Sequence, residues 1–254
     1  MTVEACAALV ERGDPDRFMA VMAAPVALRA RLFPLYAFNL EIARAPWVTS
    51  QPMIAEMRLQ WWRDVVAEPA PRAHEVVGPL HGVIQAAGLP LPVLDRMISA
   101  RIWDVYSEPF EDAADFDRYI EETAAGLMWL AALAAGAAPG AEAAVRGFGW
   151  AAGLAGYLRA VPELEARGRF PLPDGRAEAV RDWAALGLEK IRAARAARRL
   201  FGQAGPALLA GWQAEAVLRQ VVADPGIVAE GRIAAPSEFA RRGRLAWGAL
   251  TGRW

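Results

Sequence analysis

The chain has 254 residues, a formal net charge of −1 at neutral pH, 55% apolar residues and 22% charged residues. That length allows one large domain or two small ones, the apolar fraction supports a sizeable core and argues against disorder, and the charge balance excludes a general nucleic-acid binder, which needs a strong basic excess. A single cysteine, Cys6, excludes an internal disulfide and a cysteine-based zinc site.

Almost every segment carries a helical signal, with Ala and Leu dominant and no alternating Val/Ile/Thr runs. A short first helix ends at Gly13, and Asp14-Pro15 reads as an N-cap followed by proline at the first helical position. Pro25 and Pro34 bend or divide the next stretch, which continues to about Ala45. A further helix starts at Ser50 and Pro52. Its apolar residues Ile54, Met57, Trp61 and Val65 repeat at helical spacing and predict one buried face. Pro69 and Pro71 mark a loop, a helix runs through about Ala87, residues 88–92 turn, and another helix reaches Tyr106.

Asp115 opens the next helix. Thr123 to Ala141 has no charge and imitates a membrane span, but Gly136, Pro139 and Gly140 break it and alanine dominates it. It reads as a buried core helix ending in a turn. A helix over 141–161 follows, then a loop at 167–175, an Arg- and Ala-rich helix over 177–201, a helix near 207–222 and a loop over 224–235. The basic run Arg192, Arg195, Arg198 and Arg199 reads as a solvated face. A last helix starts at Pro236-Ser237, and its mixture of Arg with Phe, Leu and Trp suits either an anionic membrane surface or simple docking on the body. No linker or repeat interrupts the chain, so residues 1–254 are read as one all-α domain of about ten helices.

His74 and His81 lie seven apart, on one helix face, with too few partners for a metal site. No phosphate-loop, nucleophile-elbow or zinc-protease motif occurs. The N-terminus lacks a basic region followed by an apolar core, so no signal peptide is expected. The expected location is cytoplasmic, with a membrane-peripheral position as a second possibility.

Three blocks resemble the squalene/phytoene synthase family of head-to-head prenyl transferases: FPLYAFNLEIARA at 33–45, RLQWWRD at 58–64 and LRAVPELEARGRFPLP at 158–173. A weaker fourth, residues 100–127, resembles the family's central region, where an Asp precedes a loop and a helix. The resemblance implies an all-α isoprenoid-synthase fold around a central cavity. It also implies two aspartate clusters on facing helices, because carboxylates one turn apart share a helix face and can hold Mg²⁺ against a diphosphate.

In this chain the motif acids fall at Ala43, Arg44 and Trp47 in the first block and at Ala160 and Leu164 in the third. Arg159 and the trailing Arg167, Gly168, Arg169, Leu172 and Pro173 match the family, while Gly153 and Gly156 stand where it has Gln and Asn. Glu41 is about 200° around the helix from position 43, and Glu163 about 100° from Leu164. Pro162 is expected to end the regular helix, leaving Glu165 in a loop.

The resemblance therefore points to a non-catalytic branch, similar to a mitochondrial complex I assembly factor of that group. Such a protein would need no cofactor and would bind an isoprenoid or prenyl diphosphate, a partner protein or a membrane surface, but no nucleic acid. The alternatives are an active Mg-dependent condensing enzyme and a binding module whose cavity is filled by Trp47, Trp61, Trp62, Trp103, Trp129, Trp150 and Phe148. Candidate ligand or anion contacts are Tyr36, Arg44, Arg58 and Arg159. Arg44 would place a fixed positive charge where acid is expected, and Arg58 either faces the diphosphate position or pairs with Glu56 or Asp104.

Overall fold

The structure, a computed structural model, describes residues 2–106 and 108–254. Among these residues there are α-helices and no strands. In chain order the helices are α1 (Val3–Gly13), α2 (Pro15–Ala23), α3 (Val26–Arg44), α4 (Pro52–Ala67), α5 (Val77–Ala87), α6 (Leu91–Ala100) and α7 (Ala113–Ile120). Then come α8 (Gly126–Ala134), α9 (Glu142–Ala166), α10 (Ala177–Ala196), α11 (Ala214–Ala223), α12 (Gly226–Ala229) and α13 (Glu238–Thr251). A π-turn at Glu121–Ala125 joins α7 to α8, and 3₁₀ turns cover Ala45–Trp47 and Arg198–Gly211.

Local chemistry sets several helix starts. The side chains of Thr2, Asp14, Asp112 and Ser237 each accept from a backbone N–H of the first turn that follows, satisfying donors a helix leaves unpaired. Asp112, rather than Asp115, thus opens α7. The uncharged stretch after Thr123 becomes α8, whose residues are buried except for the half-buried Leu133. Among the described residues no helix is long and apolar enough to cross a membrane.

α8 lies between α3 and α9, which contribute the largest share of the fully buried aromatic side chains: Tyr36 and Phe38 from α3, Phe148 and Trp150 from α9. One continuous apolar core runs from Cys6 on α1 to Val228 on α12. At α9 two glycines permit close packing. A Cβ at Gly153 would lie 2.2 Å from the Ala124 Cβ, and one at Gly149 2.6 Å from the Met128 Cβ. The π-turn therefore sits directly on the α9 backbone.

Several sequence expectations are corrected. α4 buries Ala55, Leu59, Trp62, Val65 and Val66, while Met57 is 65% exposed and Ile54 39% exposed. The helix is turned by about one residue because Trp62, not Trp61, is the ring that packs edge-on against Phe38 of α3. α6 stops at Ala100 and residues 101–105 form turns. α9 continues through Pro162 to Ala166, so Glu163 and Glu165 are helical. The expected helix at 207–222 is a 3₁₀ stretch up to Gly211 followed by α11, and the expected loop over 224–235 contains the one-turn α12.

Candidate functional site

The two stretches that would face each other across a metal site end α3 and α9. Ala43 is half-buried and Arg44 exposed. The Arg44 guanidinium lies against the end of α1, where a Cβ on Gly13 would be 2.7 Å from it. It does not line the cavity, contrary to the expectation of an anion contact there. Trp47 closes the 3₁₀ turn that follows. On α9, Ala160 and Leu164 are half-buried. The Leu164 carbonyl accepts from the backbone N–H of Arg169 at 3.0 Å, and Gly168 adopts φ +75°, a left-handed value that favours glycine at this helix end.

That turn folds Arg167 and Arg169 back over Trp47. Their guanidinium carbons lie 4.9 Å and 5.0 Å from its ring centroid. The last position of the first motif is therefore covered by two guanidiniums that follow the second, and Arg167 also pairs with Glu163 at 2.6 Å. Arg169 is buried and donates to the main-chain oxygens of Asp104 and Tyr106. The Tyr157 hydroxyl donates to the Pro171 oxygen at 2.8 Å. The Arg-Gly-Arg-Phe-Pro-Leu-Pro run thus straps the end of α9 to the turn after α6.

One carboxylate lies deep beside this strap. Asp104 is 4% exposed, accepts from Arg101 Nη1 at 3.1 Å and receives the Tyr119 hydroxyl at 3.0 Å on either oxygen. Burial pushes its carboxyl above the usual carboxylate range, against the pull of Arg101. Burial also drives the Tyr119 and Tyr157 phenols well above their ordinary range, so both stay neutral. Among the described residues no group of three or more His, Cys, Asp and Glu side chains is placed to hold a metal ion.

A cavity of about 230 Å³ remains between α3, the π-turn, α8 and α9. Its polar lining is Arg17, Tyr36, Asn39, Arg101, Tyr119, Thr123 and Tyr157. The Tyr36 hydroxyl and Asn39 Oδ1 are buried with no hydrogen-bond partner among the described residues. Arg17 lies 5.0 Å from the Tyr36 ring centroid, and burial pushes the Tyr36 phenol up to about 12. Gly156 is at the cavity, and a Cβ there would meet nothing within 4 Å. The cavity is smaller than the roughly 300–1,000 Å³ of drug-sized sites, and none of the tryptophans expected to fill it lines it.

Residues 10–236 match the family model described as squalene/phytoene synthase. The chain belongs to the squalene/phytoene synthase family. It is 30% identical to a Drosophila melanogaster homolog of NADH dehydrogenase (ubiquinone) complex I assembly factor 6 over 176 residues, 65% of this chain and 52% of that protein. It is 25% identical to the Homo sapiens assembly factor 6 over 172 residues, 66% of this chain and 52% of that protein. The chain spans about half the length of the curated relatives it matches. Among solved structures it resembles squalene synthase HpnC from Alicyclobacillus acidocaldarius, with a TM-score of 0.69, 19% identity and coverage of 90% of this chain and 94% of that one. It also resembles a dehydrosqualene synthase crystallised with a ligand, with a TM-score of 0.68, 14% identity and coverage of 98% and 95%. These two likenesses establish the squalene synthase-like fold.

Within this squalene/phytoene synthase-like chain, Tyr36 alone of the four candidate contacts lines the cavity. Arg159 is at the outer surface, 3.7 Å from Asp16 and 3.4 Å from Gln213, and Arg17 takes a place in the cavity wall instead. Arg58 is exposed and makes no ion pair with Glu56 or Asp104 among the described residues; Asp104 is taken by Arg101, and Arg63 binds Asp95 at 2.6 Å. His81 holds the Val65 oxygen at 2.8 Å while His74 packs on Trp61 and Trp62, so the histidines serve separate contacts. Arg17, Asn39, Arg101, Tyr119, Tyr157 and the role of Arg169 were not anticipated. The Arg101-x-x-Asp104 spacing was the available signal for Arg101.

Proposed function

We propose that this chain is a non-catalytic member of the squalene/phytoene synthase family that serves as an assembly-type protein for a respiratory NADH dehydrogenase. The observation that carries the reading is what stands at the motif positions, Ala43, Arg44 and Trp47 on one side and Ala160 and Leu164 on the other, with no group of three or more His, Cys, Asp and Glu side chains placed to hold a metal ion among the described residues. Head-to-head condensation needs Mg²⁺ at that place to accept diphosphate charge, and Mg²⁺ needs carboxylate oxygens that these side chains do not supply. The likeness to complex I assembly factor 6 supports the assembly role. The cavity, with the unpartnered Tyr36 hydroxyl and Asn39 oxygen on its walls, would admit a small polar ligand or part of an isoprenoid.

Deleting the gene in its host tests this reading. The expected outcome is a fall in NADH:ubiquinone oxidoreductase activity and in the amount of assembled complex, restored by the gene in trans, with squalene- and phytoene-type products unchanged. Loss of those products with an intact NADH dehydrogenase would sink the reading.

A further inference from the structure

Charge is segregated along this nearly neutral chain. Residues 190–254 hold eleven basic and four acidic side chains, whereas residues 1–189 hold seventeen basic and twenty-five acidic ones. The basic part folds into one place. An open pocket of about 680 Å³ lies between the end of α10, the 3₁₀ turns, α11 and α13. Five arginines line it (Arg195, Arg198, Arg219, Arg244 and Arg253) together with one acid, Glu215. Glu215 is spent on Arg195 at 2.7 Å and Arg219 at 2.6 Å. Arg198, Arg244 and Arg253 have no carboxylate partner among the described residues. The apolar part of the wall includes Trp212 and Trp247.

α13 adds a second observation. Its inner face is fixed: Leu245 packs with Ala20 and Leu209, Arg241 pairs with Asp16, and Gly248 comes so close to Leu209 that a Cβ would lie 2.9 Å from it. The outward face of a docked helix is ordinarily polar. Here Phe239 is 89% exposed and Leu250 85% exposed. At eleven residues apart they fall about 20° from each other around the helix, with Gly243 and Ala246 between them. Arg242 flanks this stripe on one side, and Trp247 and Arg244 on the other. An apolar stripe edged by arginine and tryptophan is the pattern of a helix lying in a membrane interface, where the rings sit at headgroup level and the guanidiniums reach phosphate.

We propose that α13 and the arginine pocket behind it form a docking surface for a bilayer containing acidic phospholipid. Phe239 and Leu250 enter the acyl boundary, and Arg198, Arg244 and Arg253 hold a lipid phosphate. The inference is independent of the assembly role and of the cavity between α3 and α9. No membrane-crossing helix is needed, because the surface binds in the plane of the interface.

Flotation of the full chain with phosphatidylcholine vesicles, and with vesicles of phosphatidylcholine mixed with phosphatidylglycerol, tests it. The expected result is binding to the mixed vesicles only, weakened by salt. Each basic residue near an anionic surface contributes roughly a fivefold gain, so R198E/R244E/R253E is expected to lower binding by at least about a hundredfold. F239S/L250S is expected to weaken binding without altering its preference for acidic lipid. Arg176→Glu, at the other end of α10 and about 30 Å from Arg195, is expected to change nothing. All these positions are exposed, and a circular-dichroism melt checks that the variants fold. Equal binding to both vesicles overturns the proposal. Binding to neither also overturns it and leaves a protein partner as the occupant. Complete release of the bound chain by free glycerol phosphate, at a concentration that leaves ionic strength unchanged, overturns it in favour of a soluble anion.

Discussion

The molecule has two groups of arginines, and they differ in what surrounds them. Beside α9, Arg101 and Arg169 are buried or nearly so, and with Arg167 they are committed to Asp104, two main-chain oxygens and the Trp47 ring. Beyond α10, Arg198, Arg244 and Arg253 line an open pocket and meet no carboxylate among the described residues. The same side chain closes one site and leaves the other available. Turning a guanidinium that already holds carbonyls or a carboxylate toward a ligand breaks those buried bonds, whereas an unpaired one loses little except water.

The comparison breaks most easily at Asp104. Asp104→Ala leaves Arg101 buried without its counter-charge and is expected to cost about 3–5 kcal/mol of stability, read by urea unfolding. Arg169→Met removes two charge-assisted bonds to main-chain oxygens and is expected to cost about 2–3 kcal/mol. Arg253→Ala or Arg198→Ala should stay within about 0.5 kcal/mol of wild type. Similar losses in both groups would erase the distinction.

Two glycines on one helix sharpen the account of the cavity. Gly153→Ala pushes a methyl into Ala124 and is expected to cost about 1–3 kcal/mol. Gly156→Ala points into open space and is expected to be neutral or to stabilise by up to about 1 kcal/mol through helix propensity. Thermal melts of the two variants decide it.

A pH-dependent effect concerns Cys6, whose thiol is pushed up to about 11 by burial and by Glu75. The folded chain is expected to react slowly with a thiol reagent at neutral pH and quickly once unfolded. The folded thiol holds its proton above the unfolded value of about 8.5. Its contribution to stability is therefore complete below that pH and is lost as pH rises toward 11. A melting temperature that does not fall over that interval would contradict the assignment.

Much of the fold was legible because helical periodicity, N-caps and glycine–proline breaks are local. The blocks at 33–45, 58–64 and 158–173 pointed to the family now matched over residues 10–236. Val65 is buried as expected, but the rest of the α4 face was misread because 54/57/61 and 55/59/62 satisfy the helical period equally. Adjacent tryptophans supply either one, and the choice is made by Phe38 on another helix. The strap was illegible for a related reason: Arg169 reaches residues more than sixty positions away, and no local pattern encodes that. Arg44 was placed on the right helix but on a face turned toward α1, which the motif alignment could not tell.

The central claim is that Ala43, Arg44, Trp47, Ala160 and Leu164, standing where carboxylates are needed, leave no working metal site between α3 and α9. The direct measurement is diphosphate release from farnesyl or geranylgeranyl diphosphate by the purified, folded chain with and without Mg²⁺. The account predicts no release above the protein-free rate in either condition. Mg²⁺-dependent release that scales with protein concentration would contradict it.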